Sequence, residues 1–168
     1  MAKSHIPSNA LASLYGLALD CADRRVLGEE VQIRLSTYDE TNNRIKPRRI
    51  AREIIVDGDR GLIGLVGVQT NQFPRAVDIA RQFRALGIPV CIGGFHVSGC
   101  LAMLPELPDD MQEAMCQEIM LFAGEAEGRL ESLFAGGIPR RAETPLQLHG
   151  RPAIIGGPPP CLSCSPSV

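Results

Sequence analysis

Three short polar stretches hold the residues best able to do chemistry: Gln69-Thr70-Asn71, Gly93-Gly94-Phe95-His96 and Gly124-Glu125. Each directly follows an apolar run. Glycines in such places let a ligand reach the main chain without a Cβ in the way, and the amides and hydroxyls beside them supply hydrogen bonds. The pattern suits binding better than catalysis. No Ser/His/Asp, Cys/His or paired-carboxylate set is suggested, because Glu125 and Glu127 read as acids in the first turn of a helix, complementing its dipole. Neither GxGxxG nor GxxxxGK[ST] occurs, so a dinucleotide or nucleoside-triphosphate site lacks its usual support.

These stretches need a scaffold that brings them together. Residues 62–68 form an apolar run without alternation, as in a strand covered on both faces. Pro74 then opens a helix whose apolar residues are Ala76, Ile79, Ala80, Phe83 and Leu86, and Gly87 fits a left-handed stop. Residues 88–92 are a second buried strand. This is one parallel βαβ unit, so both polar loops leave at the carboxyl ends of neighbouring strands, where open α/β sheets bind ligands. Gly64 and Gly67 also thin the first strand, which suits something flat lying against it.

Around this unit, Ser8-Asn9 starts a helix with Leu11, Leu14, Tyr15, Ala18 and Ala22 on its apolar stripe. Residues 31–37 alternate and predict a strand; Pro47 opens a helix that buries Ile50, Ala51, Ile54 and Ile55. Residues 96–108 read as an irregular loop with two prolines. Asp109 and Asp110 cap a short helix burying Met111, Ala114 and Met115. Residues 119–122 are a last buried strand, and a helix with Leu130, Leu133 and Phe134 follows. The expectation is four strands and five helices in one α/β domain over residues 1–137, with a Gly/Pro-rich, disordered tail over 138–168.

The 168 residues, 45% hydrophobic, suffice for one core. A net charge of −2, from 17 basic and 19 acidic residues, exerts no overall pull on nucleic acid or anionic membrane. Arg44, Lys46, Arg48, Arg49 and Arg52 alternate with apolar residues at helical spacing and read as a solvated helix face. Six scattered cysteines, one inside a buried strand, do not form a secreted disulfide framework, so a cytoplasmic location is expected. No run is long enough to span a bilayer.

The run GLIGLVGVQTNQFPRAVDIARQFRALGIPVCIGGFHVSG, followed by LFAGEAEGRLESL, resembles the cobalamin-binding domain at the N-terminus of cobalamin-dependent radical S-adenosylmethionine enzymes. It is more distantly similar to the cobalamin domain of methionine synthases and mutases. The likeness covers residues 7–134. It implies a flavodoxin-like (Rossmann-like) parallel sheet with helices on both faces, and a groove at the strands' carboxyl ends for the nucleotide tail of the cofactor. The family's first strand is missing, having no counterpart before Pro7. By resemblance, Val66-Gly67-Val68 occupies the place of a Ser-x-Leu element, with valine where serine would stand. Thr70 falls on the threonine after it, and Gly93-Gly94 falls on the glycine pair that lets the tail pass. With Gln69, Phe95, His96, Gly124 and Glu125 these make up the implied cofactor set.

The family's Asp-x-His-x-x-Gly signature lands on residues 3–8 and places its axial histidine at His5, with Lys3 and Ser8 replacing the aspartate and glycine. Radical chemistry would need a CxxxCxxC arrangement in a barrel this chain is too short to contain, and only Cys161-Leu162-Ser163-Cys164 is present. The resemblance therefore implies a corrinoid holder that is not catalytic alone. Its partner would be a radical S-adenosylmethionine or methyl-transfer domain, in trans or in a longer parent chain. Two other readings compete: a ligand-free flavodoxin-like interaction module, and a small flavin-binding redox protein, for which 4% aromatic residues is sparse.

Overall fold

The apolar run after Gly61 becomes the first strand of a parallel sheet, although a shorter one than its composition suggests. The computed structural model describes residues 8–40, 43–58, 60–137 and 154–155. Strands β1 (Ile63–Leu65), β2 (Val90–Gly93) and β3 (Met120–Phe122) lie side by side and parallel, pairing Ile63 with Val90, Leu65 with Ile92 and Ile92 with Leu121. A two-residue β4 (Ile154–Ile155) pairs with β3 from within the segment expected to be a tail. His5, His149, Cys161 and Cys164 lie outside the described residues.

β1 stops early because Gly67 turns the chain with φ of 68°. That turn brings the main chain against α1 (Asn9–Asp23), where a Cβ on Gly67 would stand 3.0 Å from the Ala10 Cβ. α1 itself starts where the sequence predicts, the Leu11 N–H donating to Ser8 Oγ at 3.3 Å. α2 (Pro47–Val56) and α3 (Phe73–Arg84) carry Pro in their first turns, and Gly87 follows α3 with φ of 76°. α5 (Asp109–Cys116) and α6 (Leu130–Gly137) also lie close to their expected places.

Helices cover both faces of the sheet, and the alternation of strand side chains divides the core in two. Val90, Ile92 and Leu121 face α2, α3 and α5, packing with Phe73, Phe83 and Met111. Cys91 and Phe122 point the other way, onto Ala18 and Cys21 of α1 and Leu130 and Leu133 of α6. Each valine, leucine, isoleucine, phenylalanine and methionine among them contributes about 1.5–3 kcal/mol when fully buried.

Burial pushes the Cys91 thiol from 9.0 up to about 12. The folded chain thus holds that proton more tightly than the unfolded chain. Its contribution to stability is complete below pH 9 and fades as pH rises toward 12, by roughly 2 kcal/mol near pH 10.5. Urea midpoints followed from about pH 8 to 10.5 should fall further for the native chain than for Cys91→Ala. Parallel curves would count against the buried thiol. Cys21 and Cys100 are also free, whereas Cys116 is disulfide-bonded.

Three local expectations change. Residues 31–37 show half-buried and exposed positions alternating over 31–36, but they form no strand. Alternation sets the facing of side chains; a ladder also needs a neighbouring edge within about 5 Å, and a cavity separates this segment from β1. Residues 95–103, expected to be loop, are α4 (Phe95–Met103). Glu125 and Glu127 precede α6 rather than sitting in its first turn, where Glu131 stands, because Gly128 turns the chain with φ of 68° just before the helix.

Candidate functional site

The loops after β1, β2 and β3 meet at the carboxyl rim of the sheet, as a parallel register requires. Hydrogen bonds tie them together. The Val68 N–H donates to the Gly93 carbonyl at 3.2 Å, and the His96 N–H donates to the Val68 carbonyl at 3.1 Å. The Gly124 N–H donates to Ser98 Oγ at 3.0 Å, joining the third loop to α4.

The expected site residues then divide into two groups. Gln69, Thr70, Phe95, Gly124 and Glu125 are exposed on the rim. Gln69 and Thr70 sit in a single 3₁₀ turn region held by its own capping box, the Gln69 N–H donating to Gln72 Oε1 at 3.0 Å. Phe95 is 67% exposed, a large apolar surface at the mouth of the rim. Val66 and Gly93 are half-buried behind them.

Val68, Gly94 and His96 are not available to a ligand in the way expected. Val68 is buried. Gly94 is side-chain-free for another reason: a Cβ there would stand 2.3 Å from the Val68 nitrogen, so the glycine lets two loops touch. His96 belongs to the first turn of α4 and only 7% of it is exposed. Its ring packs on Phe73 at 4.4 Å between centroids, with Nδ1 3.8 Å from Cys100 Sγ. Nε2 lies 3.9 Å from Asp110 Oδ2 and makes no hydrogen bond. The helix explains the change, because residues one position apart point about 100° apart, so Phe95 faces water while His96 and Val97 turn into the core.

Cys100, His96 and Asp110 thus form a file resembling a nucleophile with its base. Burial, and secondarily the charge of Asp110, pushes the Cys100 thiol up. That is the wrong direction for a nucleophile, which needs its thiolate.

Two rim residues carried no signal in the sequence. Arg129 donates from Nη1 to the Ala123 carbonyl at 2.6 Å, and its guanidinium lies 4.7 Å from the Phe122 ring centre. It caps the carboxyl end of β3 with positive charge, yet beside Glu127 and Glu131 it reads as an ordinary surface arginine. Ser98, which bonds the third loop, has no recognisable role in the sequence, where α4 reads as loop. Among the described residues no cluster of three or more His, Cys, Asp or Glu could hold a metal ion, and no helix is long and apolar enough to cross a membrane.

A cavity of about 670 Å³ lies away from this rim, beside β1, between residues 32–38, α2 and α3. Comparison of the chain with protein-family models, curated proteins and solved structures gives no match.

Proposed function

We propose that this mixed α/β domain is a ligand holder of flavodoxin-like type, and that the ligand at its carboxyl rim is a cobalamin. One observation carries the binding site: three strand-end loops are fastened to one another and present Gln69, Thr70, Phe95, Gly124 and Glu125 together at one rim. The choice of cobalamin rests on the sequence resemblance. The fit is partial. The exposed amide, hydroxyl and glycine positions suit the amide-fringed edge of a corrin, and Phe95 suits its apolar face. Val68, Gly94 and His96 are taken up by packing, and the space between the sheet, α1 and α6 is filled by Cys21, Cys91, Phe122, Leu130 and Leu133. Gln69, Thr70, Phe95, Gly124 and Glu125 would therefore be the residues left to hold the cofactor at the rim.

A bound corrinoid supplies cobalt chemistry to a partner domain, a radical S-adenosylmethionine or methyl-transfer domain. The chain's own part is to hold and orient it. The same packing of Gly94 and His96 favours the second reading, an interaction module in which these loops bind no small molecule.

Purified chain mixed with hydroxocobalamin and desalted should retain a corrin absorption spectrum. The double substitution Gln69→Ala, Thr70→Val changes exposed positions and leaves the core untouched. It should weaken uptake about tenfold, the loss of one or two hydrogen bonds. A colourless protein after desalting would reject the cobalamin reading and leave the interaction module.

A further inference from the structure

β1 is an open edge of the sheet: it pairs with β2 on one side and with no strand on the other among the described residues. The Ile63 N–H donates to the Pro89 carbonyl at 3.0 Å, so the amide groups of Ile63 point to β2. In a parallel strand both groups of one residue point to the same side and alternate along the chain. The N–H and C=O of Gly64 therefore face away from β2. Gly64 is exposed in mid-strand, and a Cβ placed on it would meet only Val66 Cγ1, at 3.8 Å.

Across the cavity lies the segment 32–38, whose backbone likewise makes no backbone hydrogen bond among the described residues. It is held at a distance by side chains. Arg34 Nη1 donates to Asp57 Oδ1 at 2.5 Å, and the Tyr38 hydroxyl donates to Glu53 Oε2 at 3.2 Å, both on or beside α2. The space between is lined by the half-buried Leu11, Leu35, Ile50 and Ile54, with the buried Ile79 and Phe83 behind them. At its edge, Arg52 and Arg60 are exposed and make no ion pair among the described residues.

We propose that this space is a strand-addition site that takes an extended segment of a partner polypeptide. The segment would lie along β1, bonding the Gly64 main chain. Bare strand edges are templates for such pairing, and backbone bonds with alternate side-chain pockets define this mode of recognition. The apolar cover selects a nearly continuous run of β-branched residues. Arg52 and Arg60 select acidic flanks. The site is separate from the rim, and it stands or falls without the cobalamin reading.

The test uses a fluorescent eight-residue peptide of valine, isoleucine and threonine with a glutamate at each end, titrated into the full chain. Saturable binding is expected, weakened about tenfold or more when alternate peptide nitrogens are methylated, since methylation removes backbone donors and leaves the side chains. Gly64→Pro removes the outward N–H of an edge strand, a place where proline is tolerated, and should abolish binding. Gly64→Ala should bind as the native chain does. Arg52→Glu with Arg60→Glu should weaken binding at low salt. Absence of binding, equal binding of the methylated peptide, or native binding by a folded Gly64→Pro chain would overturn the proposal. Concentration-dependent dimerisation lost in Gly64→Pro would make a second copy the occupant and overturn it too. Should Gly64→Pro fail to fold, the methylated peptide decides.

Discussion

Gly94→Ala is expected to destabilise the chain by about 3–5 kcal/mol, a large part of the 5–15 kcal/mol that holds a typical domain together. Two costs combine. The backbone at Gly94 has φ of 149° and ψ of −170°, a region essentially reserved for glycine. The new methyl would also stand 2.3 Å from the Val68 nitrogen, 2.7 Å from the Val68 oxygen and 2.9 Å from the Gly67 carbonyl carbon. These are main-chain atoms. They cannot move without breaking the bonds from Val68 to Gly93 and from His96 to Val68, which fasten the first two loops. Gly93→Ala is the control: its Cβ would meet Phe122 Cβ at 3.4 Å, an ordinary contact, and should cost about 1 kcal/mol or less. Urea unfolding of the two variants measures the difference. Equal midpoints would show that Gly94 is not the wedge between the loops.

Phe73→Ala should cost about 3–5 kcal/mol, the range for truncating a fully buried phenylalanine. Phe73 is 0% exposed, begins α3 and holds the His96 ring at 4.4 Å. Its loss opens a cavity directly beneath the loops after β1 and β2. Phe83→Ala, at 1% exposure near the other end of α3, should lower the melting temperature by a similar amount. The two should part in amide chemical shifts: Val68, Gly94 and Gly124 should move in Phe73→Ala and stay in place in Phe83→Ala. Movement in both, or in neither, would separate Phe73 from the support of the rim.

The central βαβ unit was legible because its signals agree. An apolar run, a proline start, 3.6-residue spacing and a left-handed glycine each specify the same element independently of the others. α4 was not legible: Gly99 and β-branched Val97 weaken its helical signature, and a glycine pair before a histidine reads as loop. Taken as loop, the same residues place His96 at the ligand edge and give Ser98 no role. Residues 31–37 show the limit of periodicity. The alternation was real and appears in their exposure, but hydrogen bonding depends on a neighbour that no local pattern encodes. The role of Gly94 was invisible for a related reason: a residue lacking a side chain looks the same whether the vacant space admits a ligand or another stretch of main chain. Of the rim, the residues left exposed were readable. Those used for packing were not.

The pairing of α1 with α6 has a consequence for how the chain is made. Arg24 reaches Glu131 across 107 positions, and Leu130 and Leu133 complete the cover that Cys91 and Phe122 begin over Ala18 and Cys21 of α1. At translation speeds of about 5–20 residues per second, α1 leaves the ribosome roughly 5–20 seconds before its cover is complete. During that interval its oily stripe is open to chaperones and to neighbouring nascent chains.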